Sequence, residues 1–167
     1  AVDAVLAARR PLFVFGGGAT GGADAIPDLL QQTGAAAFTT YAGRGLVPPG
    51  HPSGFGPWLA RPGSADVFAQ ADLVLAFGTA LSETDLWRDH PGHDCPMIRV
   101  DLDPEVLATA RAGDMAILGD AGAVLRAMAI AIPARTEDRP PAWDALQIAA
   151  TRARWRADLR AERPGVV

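Results

Sequence analysis

The chain has 167 residues, 49% hydrophobic and 20% charged, the balance of a soluble packed domain. All fifteen basic residues are arginine, and lysine and asparagine are absent. That excludes a Walker-type phosphate loop, a Schiff-base lysine, a Ser–Lys dyad and an N-glycosylation acceptor. The net charge of −4 argues against a general nucleic-acid binder. No apolar run approaches the roughly 20 residues of a membrane span.

In chain order, residues 1–10 are Ala-rich and helix-prone, and Pro11 ends them. Residues 12–15 are wholly apolar and close on Gly16-Gly17-Gly18, which predicts a strand buried on both faces and then a tight turn. A helix is expected over residues 23–33, with Pro27 tolerated in its first turn and Gly34 beyond its end. Residues 35–40 read as a second strand. Residues 41–63, rich in Gly and Pro, are too long for an ordinary connector and form a candidate functional loop, with room for a sixth strand within 52–59.

Ser64 starts another helix, with Asp66 in its first turn. Further strands are expected over residues 72–77, closed by Gly78, over 97–102, and over 115–118. Pro104 opens a short helix over 105–110, and residues 121–131 form the last covering helix. Apolar strands alternating with helices predict an α/β, Rossmann-like open parallel sheet of five to six strands with helices on both faces.

Charge divides the chain. Residues 1–134 hold 8 Arg against 14 acids, and residues 135–167 hold 7 Arg against 5 acids. The reading is therefore a domain over 1–134 followed by a linker at 136–141 and an Ala/Arg-rich helix from Trp143 to Glu162. The apolar positions of that helix are too sparse for a core helix, so it is expected to lie against this domain or the next. One cysteine, Cys95, excludes an internal disulfide and fits a reducing, cytoplasmic compartment. The chain opens at Ala1 without Met, and it is expected to be a piece of a longer polypeptide.

Gly16-Gly17-Gly18-Ala19-Thr20-Gly21 satisfies G-x-G-x-x-G between a strand and a helix, the setting in which backbone can approach a phosphate. A tight turn that holds nothing is the alternative. Parallel sheets bind ligands beyond the C-terminal strand ends. The candidate nucleotide contacts there are Gly16, Gly17, Gly18, Thr40, Gly43, Arg44, Gly78, Thr79, Asp101 and Asp120. Asp101 and Asp120 could accept from ribose or adenine, and Arg44 could meet a pyrophosphate; each also has an ordinary capping or surface role. The second strand ends Phe38-Thr39-Thr40 without a carboxylate, which disfavours an NAD dehydrogenase. His90, His93 and Cys95 are too few for a convincing zinc site, and no catalytic or metal residues are assigned.

The ordered set of motifs resembles the central domain of thiamine-diphosphate-dependent enzymes of the acetolactate synthase, pyruvate oxidase and benzoylformate decarboxylase group. It is carried by Arg10-Pro11, Gly16-Gly17-Gly18, Thr39-Thr40, Gly43-Arg44-Gly45, His51-Pro52, residues 71–76 with Gly78, Val100-Asp101-Leu102-Asp103-Pro104 and Gly119-Asp120. The resemblance implies flanking pyrimidine- and pyrophosphate-binding domains, a homodimer or homotetramer, and thiamine diphosphate with Mg²⁺ held outside this segment. The family's metal-and-diphosphate motif begins Gly-Asp-Gly and ends in Asn. Here Ala121 follows Gly119-Asp120 and no Asn exists, so the chain alone is expected to be inactive.

The resemblance gives this domain the role of spacer, with FAD or ADP bound in some members. Flavin-binding members carry an Arg-Phe-Asp-Asp-Arg-like stretch after the fourth strand. Residues 79–85 here read Thr-Ala-Leu-Ser-Glu-Thr-Asp, without either arginine. That tilts the reading towards 2-keto-acid decarboxylases, and the Ser-Glu-Thr-Asp run resembles those acting on amino-acid-derived keto acids. A free-standing nucleotide-binding regulatory module and an NAD enzyme are the competing classes.

Overall fold

The computed structural model describes residues 1–132 and 142–162. The strands are β1 (Pro11–Phe15), β2 (Ala36–Thr39), β3 (Gly54–Gly56), β4 (Leu73–Phe77), β5 (Met97–Asp101) and β6 (Met115–Leu118). They form one parallel sheet in the order β3-β2-β1-β4-β5-β6. The strand order reverses between β1 and β4, where Phe15 pairs with Phe77. β3 is the sixth strand expected within residues 52–59.

Side chains alternate across the sheet, so consecutive apolar residues supply two cores. Phe13, Phe15, Leu75 and Phe77 face one side, and Leu12, Val14, Phe38 and Val74 the other. The first face is covered by α1 (Val2–Ala7), a 3-10 segment (Gly17–Ala25), α2 (Ile26–Thr33) and α6 (Ala121–Ala131). The second receives α3 (Ser64–Phe68), α4 (Glu83–Leu86) and α7 (Ala145–Glu162). A short α5 (Pro104–Ala108) joins β5 to β6, its start capped by Asp103, which accepts from the Glu105 amide at 2.8 Å.

One expected helix differs. Instead of an α-helix from residue 23, the chain enters the 3-10 segment directly after Gly16 and becomes α-helical at Ile26. Gly22 breaks the helical geometry inside that segment. A Cβ there would come within 2.8 Å of Gly122 Cα, so the two glycines let α6 rest on the 3-10 backbone.

The sparse apolar residues of the C-terminal segment find their partner in this same domain. Trp143, Ile148 and Trp155 are buried in the second core, with Trp155 against Phe38 and Phe55. The Trp143 indole N–H donates to the Pro11 carbonyl at 2.8 Å, and Arg10 lies over its ring at 4.3 Å. Arg152 donates to the carbonyls of His51 and Gly54, and Arg61 forms a two-pronged pair with Glu162. The expected linker at 136–141 and the boundary after residue 134 lie outside the described residues.

Replacing Trp155 by Ala is expected to cost about 3–5 kcal/mol in urea unfolding. A loss below about 1 kcal/mol would mean that α7 is not part of the core.

Candidate functional site

Seven of the ten candidate contacts meet where the strand order reverses. The Gly16 amide donates to the Phe77 carbonyl at 2.9 Å and the Gly18 amide to the Gly78 carbonyl at 3.1 Å. The Thr40 amide donates to the Phe15 carbonyl at 3.0 Å, and Thr40 Oγ1 accepts from the Gly43 amide at 3.1 Å. A Cβ on Gly16 would overlap the Gly78 carbonyl and lie 2.5 Å from Thr79 Cβ. One on Gly18 would lie 2.8 Å from Gly78 Cα, and one on Gly17 3.1 Å from Ala42 Cβ. Gly78 itself takes a left-handed φ of 59°. Thr79 Oγ1 accepts from the Leu81 amide at 3.0 Å.

The glycine turn therefore closes on the end of β4. The Gly16 and Gly18 amides, which would face a pyrophosphate, already have partners within the chain. The acids are similarly engaged. Asp101 Oδ1 accepts from the Asp103 amide at 3.0 Å, and Asp120 Oδ1 caps α6 through the Ala123 amide at 2.7 Å. As folded, the turn is closed by main-chain contacts, and Asp101 and Asp120 each have one carboxylate oxygen engaged.

Arg44 lies elsewhere. It is exposed, over the Tyr41 ring at 5.6 Å, and it lines a cleft of about 340 Å³ with Trp58 and, from α7, Arg152 and Arg156. Burial, then the Arg156 charge, lowers the Arg152 pKa. Sequence reading missed this wall because it did not seat α7 on the domain.

It also missed two arginines, Arg88 half-buried and Arg99 buried. The Arg88 guanidinium donates to the carbonyls of Leu59, Leu86, His90 and Pro91 and to Ser64 Oγ, stapling the long loop to α3. Arg99, 7% exposed on β5, donates to Thr109 Oγ1 and the Ala80 carbonyl. Near it the His90 and His93 rings stack at 4.6 Å. Among the described residues no group of three or more His, Cys, Asp or Glu is placed to hold a metal. Burial raises the Cys95 pKa.

A six-stranded parallel sheet in this order, with its crevice at the reversal, defines a Rossmann-like domain of the nucleotide-binding architecture. The thiamine pyrophosphate enzyme central domain matches residues 1–128, and the chain belongs to that family. It is 38% identical over 161 residues to the "probable 2-ketoarginine decarboxylase AruI" of Pseudomonas aeruginosa, covering 96% of this chain and 28% of that protein. It is 31% identical to the sulfoacetaldehyde acetyltransferase of Rhodobacter capsulatus, covering 91% of this chain and 27% of that protein. It is 30% identical to an acetolactate synthase of Mycobacterium bovis, covering 75% and 21%. The fold is shared, with a TM-score of 0.69 and 23% identity, by a Mycobacterium smegmatis protein assigned to the thiamin diphosphate-dependent enzymes, covering 86% of this chain and 28% of that one. The chain thus spans under a third of the length of these relatives. No helix among the described residues is long and apolar enough to cross a membrane.

Two outcomes are expected. Gly16→Ala, at φ −97°, adds no backbone strain of its own, so its destabilisation isolates the contact between the turns. A loss of about 3 kcal/mol in thermal or urea unfolding is expected. The second concerns acid. Burial first, then the His90 ring, pulls the His93 pKa from 6.5 down to about 4. The unfolded state then binds more protons between those values, so this contribution is complete above pH 6.5 and is lost as pH falls towards 4. His93→Gln should flatten the unfolding-stability profile in that window.

Proposed function

We propose that this chain is the central domain of a thiamine-diphosphate-dependent 2-keto-acid decarboxylase, and that it spaces and supports the catalytic domains without catalysing alone. The similarity to a protein named as a 2-ketoarginine decarboxylase, along nearly the whole chain, carries this reading. The Ser-Glu-Thr-Asp run at the start of α4 agrees with a keto acid derived from an amino acid. An acetolactate-synthase-like parent is the second reading, supported by the lower identities to such enzymes.

When bound, thiamine diphosphate supplies the carbanion chemistry by which a 2-keto acid loses carbon dioxide. Its site, with Mg²⁺, belongs to flanking pyrimidine- and pyrophosphate-binding domains in this proposal. The parent would work in the cytoplasm as a homodimer or homotetramer. Exposed apolar residues on β6 and α6 are suited to contact with a flanking domain. β6 is an edge strand whose Met115 and Leu118 are 46% and 66% exposed, and Ile130 of α6 is 88% exposed. The engaged amides of Gly16 and Gly18 favour an unfilled spacer over a site for FAD or ADP.

The 167-residue chain with thiamine diphosphate and Mg²⁺ is expected to release no carbon dioxide from 2-ketoarginine or pyruvate. The polypeptide that contains its flanking domains is expected to do so. Titration of the chain with FAD, ADP and coenzyme A should show no saturable micromolar binding; tight binding of any of them would replace the spacer reading with that of a nucleotide module.

A further inference from the structure

The second face of the sheet holds a polar cavity that the proposed function does not use. It measures about 220 Å³ and is bounded by β5, residues 80–93, the end of α5 and the turn before β6. His90, His93, Arg99, Thr109, Arg111 and Asp114 line it. His93 is 2% exposed, and neither of its ring nitrogens has a protein partner. Arg99 is 7% exposed, and its Nε–H also has none, although both terminal nitrogens donate to neutral oxygens.

Hydrogen-bond accounting shows what is missing. A neutral imidazole has one acceptor nitrogen and one N–H. His90 Nδ1 lies 3.0 Å from the Gly92 amide as its acceptor, so Nε2 carries the hydrogen. That N–H faces Arg111 Nη1 at 2.6 Å, which leaves two donors opposed. The His93 ring and Arg99 Nε add two more donors. The nearby Asp114 carboxylate is taken from both sides, by the Met97 amide on Oδ1 and the Arg111 amide on Oδ2, each at 2.9 Å. Asp89, also on the lining, is exposed. Among the described residues no carboxylate forms a direct ion pair with Arg99 or Arg111, although the Asp101 and Asp114 charges act on Arg99 and the His93 carbonyl accepts from Arg111 at 3.4 Å. Buried donors without acceptors are costly, and an unpaired buried guanidinium more so.

We propose that this cavity is a binding site for a small oxyanion, which accepts from Arg99 Nε, Arg111, His90 Nε2 and the His93 ring. Two arginines with forked N–H groups suit the oxygens of a carboxylate or a phosphate. The volume admits a group of that size but falls below the range of sites for drug-sized molecules or nucleotides. The site is independent of the parent's activity, because nothing in it depends on thiamine diphosphate.

The test is a titration of the ¹⁵N-labelled chain with inorganic phosphate and, separately, malonate. Each runs to about 10 mM at constant ionic strength, tenfold above a Kd of about 1 mM. The histidine ring nitrogens report directly on the cavity. Saturable shifts of the His93 and His90 ring resonances are expected with at least one anion and not with chloride. Phosphate alone would mark a phosphate-type ligand, and malonate alone a carboxylate. Arg99→Met removes a buried side chain, so the exposed Arg111→Gln is the deciding variant. It should weaken binding at least about tenfold while leaving the melting temperature in chloride unchanged. No shift with either anion, or equal binding by Arg111→Gln, would overturn the proposal.

Discussion

Two chain turns lie backbone against backbone where the strand order reverses, and the rest of the sheet is arranged around that contact. After β1 the chain passes into the 3-10 segment on the first face; after β4 it leads to α4 on the second. Such divergence normally opens the crevice in which open α/β sheets bind ligands. Here Gly16, Gly18 and Gly78 remove the side chains that would hold the turns apart, and the Gly16 and Gly18 amides tie them together. Gly43 brings the start of the long loop onto the end of β1 in the same way. The glycines thus serve close packing of main chain at the point where the strand order reverses.

Arginine performs the remaining long-range fastening. With no lysine available, each cation is a planar fork with five N–H donors. Arg88 uses that capacity most fully, because it joins the carbonyls of Leu86, His90 and Pro91 beside it to Leu59 and Ser64 Oγ from an earlier stretch of chain. Burial lowers its pKa, yet a guanidinium starts so high that it stays charged. Arg152 does the same between α7 and the turn before β3. One arginine of that last part of the chain is therefore structural, since the Arg152 side chain bonds back onto main-chain carbonyls of the body that precedes it.

The strands were legible because most are short apolar runs, with β1, β4 and β6 each ended by glycine, and even the Gly-Phe-Gly of β3 stood inside the flagged loop. Which face each residue takes was not legible, since Leu12 and Phe13 are equally apolar and differ only in the direction of the pleat. The seat of α7 was hidden for a similar reason. Its buried residues are few, and their partners Phe38 and Phe55 are more than eighty residues earlier in the chain. Seven site residues came together because strand ends converge in any parallel sheet. What holds them together was not legible, because the acceptors that engage the Gly16 and Gly18 amides belong to Phe77 and Gly78, and only the folded register brings those near. Arg44 departs with its loop towards α7.

Consider how polarity is then distributed. Along the crevice, the Gly16 and Gly18 amides have main-chain acceptors, and Asp101 and Asp120 each accept one main-chain N–H. Among the described residues, Arg99 and His93 on the β5 side hold buried ring and guanidinium nitrogens without partners. Beyond β5 the sheet ends in β6, an edge that native folds ordinarily cover or charge. This edge instead presents Met115 and Leu118 to the outside. In the proposed reading, such a domain would meet its neighbours sideways, through β6 and α6. That suits a middle element held between larger neighbours better than a module built to take its ligand at the sheet crest.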